Sequence, residues 1–483
     1  MKTFATYSFG CRVNQAEIQE ISNQLSVLGF QYSEKNPEFY IINTCAVTRK
    51  AEREARQFIY QIRKKYPKTQ IIITGCVATK WKMEKSQFLN SCLRRQAKSK
   101  ISTNDLPAQT GKIQRKNILF IDNKVKENIV RLINSNYLHA GDATPTKSGK
   151  RQSACADRDP QINIFSFGKY LPSKRLLIKI QDGCHRFCTY CIVPYLRGKP
   201  KSERIRNIEL RIKNFEDKIK EVILTAINTE AYGLDTGESF IDLIKTILEK
   251  TNIERLSFGS INPWSIDDKF LNFYEQQITD NRFTHQSPNE GGQLTADNRL
   301  AHFFHIPLQS GSNKILSLMK RDYTKKEFLE KIKAIKKINQ LAFIATDVIV
   351  GFPGEKEEDF QDTYNFLRDS PIVKFHVFRF SKREFTAAYY MSKKLKESSE
   401  DVKKKRAQTL IDMGRKKYHQ FLNKHIGKTF PALFLTTRKN GSREALLDNQ
   451  IPVLVKTDKN LAGEIRRVKV IKRKENLLFA KFC

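Results

Sequence analysis

The chain has 483 residues, 40% of them hydrophobic, which is enough for two to four packed domains and too apolar for wholesale disorder. Its 87 Lys and Arg against 51 Asp and Glu leave a formal charge of +36, an excess that fits a polyanion and favours nucleic acid over an anionic membrane. No apolar run is long enough to span a membrane and the polar start is no secretory signal, so a reducing cytoplasm is expected, where structural disulfides are disfavoured.

One pattern occurs three times in the first 80 residues: an apolar strand, a small or hydroxylated residue, then cysteine. The copies are Thr6-Tyr7-Ser8-Phe9-Gly10-Cys11, Tyr40-Ile41-Ile42-Asn43-Thr44-Cys45 and Ile71-Ile72-Ile73-Thr74-Gly75-Cys76. Between the first two, Ile18, Ile21, Leu25 and Leu28 form a helical stripe that Gly29 stops. A second helix is predicted from about Lys50 to Lys64, with Phe58 and Ile59 facing inward. Strand alternating with helix means a parallel sheet of the flavodoxin-like kind with right-handed crossovers. All three cysteines then emerge at the carboxyl ends of their strands, where open α/β sheets bind ligands. Any one alone would read as a buried structural thiol; three at one sheet edge point to a shared metal centre.

From about Lys80 the pattern weakens. Residues 83–116 are polar and basic, and 141–173 read as a linker, which makes Cys92 and Cys155 bystanders. Six strand–helix units follow, with strands at Arg175–Ile180, Glu221–Thr225, Arg255–Phe258, Phe303–Ile306, Ala345–Val350 and Lys374–Phe380. Helical segments such as Ile241–Glu249, Lys325–Ile338 and Glu357–Arg368 separate them. Repeated βα units imply a barrel or part of one, a partial (β/α)6 barrel here, with its site at the C-terminal strand ends. A polar stretch near 279–299 reads as an insertion. Short alternating strands then appear at Pro431–Leu435, Pro452–Lys456 and Ile465–Ile471, suggesting a small β-barrel. Residues 419–483 hold 14 Lys and Arg against 5 Asp and Glu, a balance suited to RNA. The expected division is 1–140, the linker 141–173, then 174–418 and 419–483.

The strongest chemical signal is Cys184-His185-Arg186-Phe187-Cys188-Thr189-Tyr190-Cys191. Three thiolates spaced Cys-x3-Cys-x2-Cys can hold three irons of a [4Fe–4S] cube and leave the fourth iron open. The alternative is a zinc site, which wants a fourth ligand that only His185 could supply, at a poor spacing.

That spacing, at the end of a first barrel strand, resembles the radical S-adenosylmethionine superfamily. With Cys11, Cys45 and Cys76 ahead of it and a basic β domain behind, the chain resembles its methylthiotransferase family across nearly its whole length. The stretches Gln181-Asp182-Gly183-Cys184, Ile192-Val193-Pro194-Tyr195-Leu196-Arg197-Gly198-Lys199, His305-Ile306-Pro307-Leu308-Gln309-Ser310-Gly311-Ser312 and Thr346-Asp347-Val348-Ile349-Val350-Gly351-Phe352-Pro353-Gly354-Glu355 carry the likeness. It implies two [4Fe–4S] clusters, on Cys11, Cys45 and Cys76 and on Cys184, Cys188 and Cys191, and a C-terminal TRAM-like domain. It implies two molecules of S-adenosylmethionine per product, one giving a methyl group to cluster-bound sulfur and one giving a 5′-deoxyadenosyl radical that removes the hydrogen from the target carbon. No catalytic side chain is required, and none of the eight histidines stands out as a base.

Around the first cysteine, Arg12-Val13-Asn14-Gln15-Ala16-Glu17 resembles the bacterial subgroup that acts on N6-threonylcarbamoyladenosine at position 37 of tRNA, as does Asn43-Thr44-Cys45-Ala46-Val47-Thr48. Isopentenyladenosine in tRNA, a ribosomal protein, or a non-catalytic iron–sulfur RNA-binding role are the alternatives. By resemblance, Tyr190, Thr225, Asn228, Ser260, Gln309 and Gly351 contact S-adenosylmethionine, Gly351 because a missing side chain lets adenine approach. The expected partners are a tRNA anticodon stem-loop, a flavodoxin- or ferredoxin-type electron donor and a sulfur donor, with the chain a monomer. Ala226 stands where the family has glycine, Asn262 where it has glutamate, and residues 378–387 lack its prolines and glycine, which puts cofactor and substrate contacts there in question.

Overall fold

The computed structural model describes residues 2–83, 113–115, 118–138, 173–279, 299–439 and 441–483. Cys92, Cys155, most of the basic stretch, the expected linker and the expected insertion lie outside them. The chain divides into two compact units, Met1–Tyr170 and Leu171–Cys483.

The first unit is built on β1 (Thr3–Ser8), β2 (Gln31–Tyr32), β3 (Phe39–Thr44), β4 (Gln70–Gly75), β5 (Ile113–Arg115) and β6 (Ile118–Phe120). Their order in the sheet is β2-β1-β3-β4-β6-β5. Only the edge strand β5 is antiparallel. Leaving it aside, the parallel strands run second, first, third, fourth, fifth, the flavodoxin-like order expected. Strands β3 and β4 are apolar and buried along almost their whole length because helices cover both faces. Helix α1 (Arg12–Val27) lays Ile18, Ile21 and Leu25 on Phe4, Phe39, Ile41 and Ile72. Each such side chain contributes about 1.5–3 kcal/mol on burial. Leu28, expected in that stripe, lies past the last turn and is 45% exposed. Helix α2 (Arg49–Lys65) begins where the Thr48 hydroxyl accepts from Ala51 N at 3.1 Å and packs Phe58 and Ile59 against the opposite face. Helix α3 (Cys76–Met83) follows β4 directly, and α4 (Ile129–Leu138) follows β6 after a 3₁₀ turn at Asn123–Asn128.

In the second unit, β7 (Arg175–Asp182), β9 (Glu221–Ala226), β10 (Arg255–Phe258), β11 (Phe303–His305), β12 (Phe343–Val350) and β13 (Lys374–Arg379) lie side by side in chain order. The short β8 (Lys201–Ser202) is antiparallel on the outer edge of β7. Bridges at Leu256↔Leu300 and Ser260↔His305 join the β10 side to the β11 side, giving one arc of six parallel strands. This is the partial (β/α)6 barrel. Helices α5 (Val193–Arg197), α6 (Ile205–Lys213), α7 (Phe240–Lys250), α8 (Asp268–Thr279), α9 (Asn313–Leu318), α10 (Lys325–Ile338), α11 (Glu357–Asp369) and α12 (Ala387–Lys394) connect the strands and follow the last. A capping box at Thr324 and Glu327 starts α10, which is why its start was plain from sequence.

Helix α13 (Glu400–Asn423) runs unbroken through positions 418 and 419, and its Gly414 lets the Phe375 ring of β13 close in. It leads into a closed barrel ordered β14-β15-β16-β18-β17, with β14 (Thr429–Lys439), β15 (Ser442–Leu447), β16 (Pro452–Lys456), β17 (Ile465–Lys474) and β18 (Leu477–Phe482). Strands β15 and β18 were not read from the sequence. The barrel core, with Phe434, Leu447, Val453, Val468 and Leu478, is continuous with Phe343, Ala345 and Val373 of the half-barrel. Arg255 of β10, 3% exposed, donates to Leu446 O (3.1 Å) and Leu447 O (3.2 Å).

Candidate functional site

In the first unit, Cys11 sits at the N-cap position of α1, Cys45 follows β3 and Cys76 opens α3. Strands β1, β3 and β4 are neighbours in register, so the three cysteines share one sheet edge as expected. Cys11 is exposed, while Cys45 and Cys76 are buried. Gly10 takes a φ of +86°, and a Cβ there would stand 2.6 Å from Cys45 Sγ. The Cys45 thiol therefore rests on the backbone just before Cys11, and only glycine permits it.

A buried polar network holds these loops. Asn14 Nδ2 donates to Phe9 O (2.8 Å) and Thr44 O (3.1 Å), tying the turn of Cys11 to the turn of Cys45. Asn43 Nδ2 donates to Glu17 Oε2 (2.9 Å) and Asn14 O (3.1 Å). Glu17 pairs with Lys126, both nine-tenths buried, and Lys126 also reaches Asn123 Oδ1 at 3.4 Å. Asn123 Nδ2 lies 3.7 Å from Cys76 Sγ, within hydrogen-bonding range of sulfur. Asn14 and Glu17, read from sequence as subgroup markers, are thus the residues that join the cysteine turns. Asn123 and Lys126 were missed; the apolar run Ile118-Leu119-Phe120 ahead of Asp122-Asn123 is the signal that could have shown another strand end there.

In the second unit, Cys184 leaves β7 and its N donates to Gly198 O at 3.0 Å. Gly183 has a φ of +72°, and a Cβ there would meet Lys199 O at 2.0 Å, so the loop closes against Gly198-Lys199. Thr189 anchors the other side through Oγ1 to Leu318 O (2.8 Å) and N to Met319 O (3.1 Å). Two guanidiniums, of Arg186 at 3.8 Å and Arg321 at 4.5 Å, stack on the Trp264 ring. Arg186 is held by Glu230 and by Asp322 Oδ2 at 2.7 Å. Arg321 Nη1 points to Cys188 Sγ at 3.6 Å, and Asn228 Nδ2 to Cys184 Sγ at 3.7 Å. Burial, then the neighbouring Cys188, pushes the Cys191 thiol up to about 12, and burial also raises Cys184. Crowded thiols with N–H donors aimed at two of their sulfurs are a set that a cationic centre would complete.

The donor set decides between the two metals. His185 is exposed and does not turn in as a fourth ligand. Among the described residues, the three such side chains whose ligand atoms all lie within 4.8 Å of one another are His305, Asp347 and His376, so the sulfurs of this loop are spread wider. One zinc with Zn–S bonds of about 2.3 Å would need them closer. A multi-iron cube fits.

The residues expected to meet S-adenosylmethionine are spread along the same strand ends. Asn228 is fully buried and its N donates to Gln181 Oε1 at 2.9 Å; its Oδ1 accepts from Asn262, so the asparagine found in place of glutamate serves to orient it. Thr225 is 3% exposed with Oγ1 against Gly259. Tyr190 packs with Ile315, Met319 and Phe352. Gln309 adopts a φ of +75°, with its N on Asp347 O at 2.8 Å. Ser260 Oγ meets His305 Nδ1 at 2.7 Å. Gly351 has a φ of +74°, and a Cβ there would stand 2.3 Å from Lys403 Cγ. Lys403 and the turn thus constrain this position to glycine, in addition to the reason expected from sequence. Gly351 N donates to Glu355 Oε2 at 2.6 Å, and Arg406 Nη1 donates to the same oxygen at 2.6 Å.

A model described as the radical SAM superfamily matches residues 178–367, and one described as uncharacterized protein family UPF0004 matches residues 3–105. The threonylcarbamoyladenosine tRNA methylthiotransferase MtaB of Aquifex aeolicus is 31% identical over 431 residues, 89% of this chain and 92% of the relative. The MtaB of Bacillus subtilis is 27% identical over 98% of this chain and 94% of its own length. The tRNA-2-methylthio-N(6)-dimethylallyladenosine synthase of Natranaerobius thermophilus is 28% identical over 97% of this chain and 94% of its own length.

Proposed function

Because the chain belongs to the radical S-adenosylmethionine methylthiotransferase family, we propose that it attaches a methylthio group to C2 of N6-threonylcarbamoyladenosine at position 37 of tRNA. The observation that carries this reading is the pair of three-cysteine sets, each at the C-terminal edge of its own parallel sheet, in a chain related end to end to enzymes of that name. In this reading Cys11, Cys45 and Cys76 hold one [4Fe–4S] cluster and Cys184, Cys188 and Cys191 the other. Tyr190, Thr225, Asn228, Ser260, Gln309 and Gly351 line the place of S-adenosylmethionine. When bound, the clusters and S-adenosylmethionine supply the one-electron chemistry, the sulfur and the methyl group.

The chain's own residues do the rest. Arg321 and Asn228 donate toward the cysteine sulfurs and set the electrostatics of the loop. Trp264, between two guanidiniums, holds that loop rigid against β10 and α9. Asn14, Asn43, Glu17 and Lys126 do the same for the first unit. A flavodoxin- or ferredoxin-type electron donor, a sulfur donor and a monomer in a reducing cytoplasm complete the reading. No helix among the described residues is long and apolar enough to cross a membrane.

The decisive experiment is turnover on anticodon stem-loops. A site that hydrogen-bonds a polar, carboxylate-bearing group rejects an apolar one because its donors are left unpaired. Purified enzyme is expected to methylthiolate stem-loops carrying threonylcarbamoyl and ignore those carrying isopentenyl, read by nucleoside mass spectrometry. Turnover of the isopentenyl stem-loop alone would move the protein to the sister subgroup.

A second expectation concerns how tRNA is held. Lys469, Lys472, Lys474 and Lys481 are exposed on β17 and β18. Each phosphate they neutralise adds about 0.7–0.9 to the slope of log affinity against log salt. Changing all four to glutamine is expected to flatten that slope by about 3 while leaving thermal stability unchanged. An unchanged slope would place the RNA footprint elsewhere. Deleting the barrel is the poorer test, since its core is shared with Phe343 and Val373.

A further inference from the structure

Four successive strands of the arc bring four polar side chains together: Ser260 just past β10, His305 ending β11, Asp347 on β12 and His376 on β13. Ser260 Oγ lies 2.7 Å from His305 Nδ1, and His305 Nε2 lies 3.0 Å from Asp347 Oδ1. His376 Nδ1 is 3.4 Å from the same oxygen, and the two imidazole centroids are 5.1 Å apart. Residues that meet across four adjacent strands must lie on one face of the sheet. Phe375, beside His376 in sequence, packs on Gly414 of α13, so the cluster occupies the opposite face, the inside of the arc. Its place along the strands is also informative. Asp347 O receives the N–H of Gln309, and Asp347 lies four residues before Gly351, both residues of the proposed cofactor rim. Although burial pushes it up, hydrogen bonds and charge from His305 and His376 bring the Asp347 carboxyl down to about 2, so it is ionised.

Two imidazoles and a carboxylate are also a metal-ligand set, but His305 has both nitrogens engaged, one on Ser260 and one on Asp347. Neither nitrogen is left free for a metal. His376 differs: with Nδ1 turned to Asp347, its Nε2 has no partner among the described residues, and its side chain is 42% exposed. When the ring carries both protons, an imidazole braced by a carboxylate on one nitrogen is a charge-assisted donor on the other.

We propose that this cluster receives the substituent of the modified adenosine, with His376 Nε2–H donating to its carboxylate and Ser260, His305 and Asp347 positioning that donor. The proposal rests on the functional reading above and adds to it the residue that reads the substrate. Sequence inspection missed it because His305, Asp347 and His376 are separated by 42 and 29 residues and meet only through strand register, Asp347 pairing with His376.

The test compares stem-loops bearing the threonylcarbamoyl group as free acid and as methyl ester, with wild type, His376→Asn and His376→Gln. Asparagine can keep the contact to Asp347 but has no distal donor; glutamine can supply one. Esterification is expected to raise the wild-type KM about 10- to 100-fold, the loss of one charge-assisted hydrogen bond. His376→Asn should lose a similar factor on the acid, with a smaller change in kcat, and lose little more on the ester. His376→Gln should recover part of the loss. If His376→Asn penalises acid and ester equally, or if wild type carries a stoichiometric non-iron metal that this variant lacks, the proposal is overturned. Wild type that turns over only isopentenyl stem-loops would instead overturn the functional reading on which it stands.

Discussion

With Cys184, Cys188 and Cys191 changed together to alanine, the protein is expected to hold about half its iron and to form no 5′-deoxyadenosine at all. With Cys11, Cys45 and Cys76 changed instead, iron again falls from about eight to about four per chain. Here 5′-deoxyadenosine should persist, and only the methylthiolated nucleoside should vanish. The two outcomes differ because the sets stand in separate compact units, each fixed by its own sheet and its own hydrogen bonds. Loss of one therefore leaves the other's geometry in place. Iron assay after anaerobic reconstitution and chromatography of the nucleosides give both readings from one preparation. A triple variant of the first set that keeps its full iron would show that those cysteines bind no cluster.

Changing Lys126 to methionine is expected to cost the first unit about 3–5 kcal/mol, because it strands a buried carboxylate. Glu17 would keep the Asn43 amide at 2.9 Å but lose its cation in a buried setting. Whole domains are stable by only about 5–15 kcal/mol, so the loss is a large share. Adding Glu17→Gln should restore much of it, since the charge that needed a partner is gone. Trp81, buried in this unit, reports its unfolding in urea if Trp264 is first changed to phenylalanine. Equal stability of the single variant and wild type would mean that the ion pair is dispensable and the network is held by its amides alone.

What the sequence disclosed depended on how far apart the cooperating residues lie. Strands Ile71–Thr74, Arg255–Phe258 and Pro452–Lys456 were legible because apolar runs bounded by turn residues are local signals. The first cysteine set was legible because each thiol follows its own strand, and the second because its three thiols fall in one loop after β7. Strand β15 was not, since Ser442-Arg443-Glu444 looks like loop and gains its place only by pairing on both sides. The Glu17–Lys126 pair spans 109 residues, and nothing local to either marks the other. Gly351 was read for what it would let a ligand do; the close approach of Lys403, on a helix 52 residues later, is a second constraint that the sequence did not mark. Register, crossover and long-range ion pairing are properties of the folded chain, and sequence patterns carry them weakly.

The shared core of the basic barrel and the half-barrel has a consequence for how such proteins diversify. Phe343, Ala345 and Val373 sit among the barrel's own apolar side chains, and Arg255 is spent on the carbonyls of Leu446 and Leu447. A guanidinium buried without those carbonyls, or a barrel without those aromatic and aliphatic neighbours, would be left with a cost of several kcal/mol. The barrel is therefore not a cassette that recombination can swap between relatives at the helix before it. Exchange between lineages would succeed only when the matching patch of the half-barrel travels with it, so the RNA-holding and chemical parts of this unit are bound to drift together.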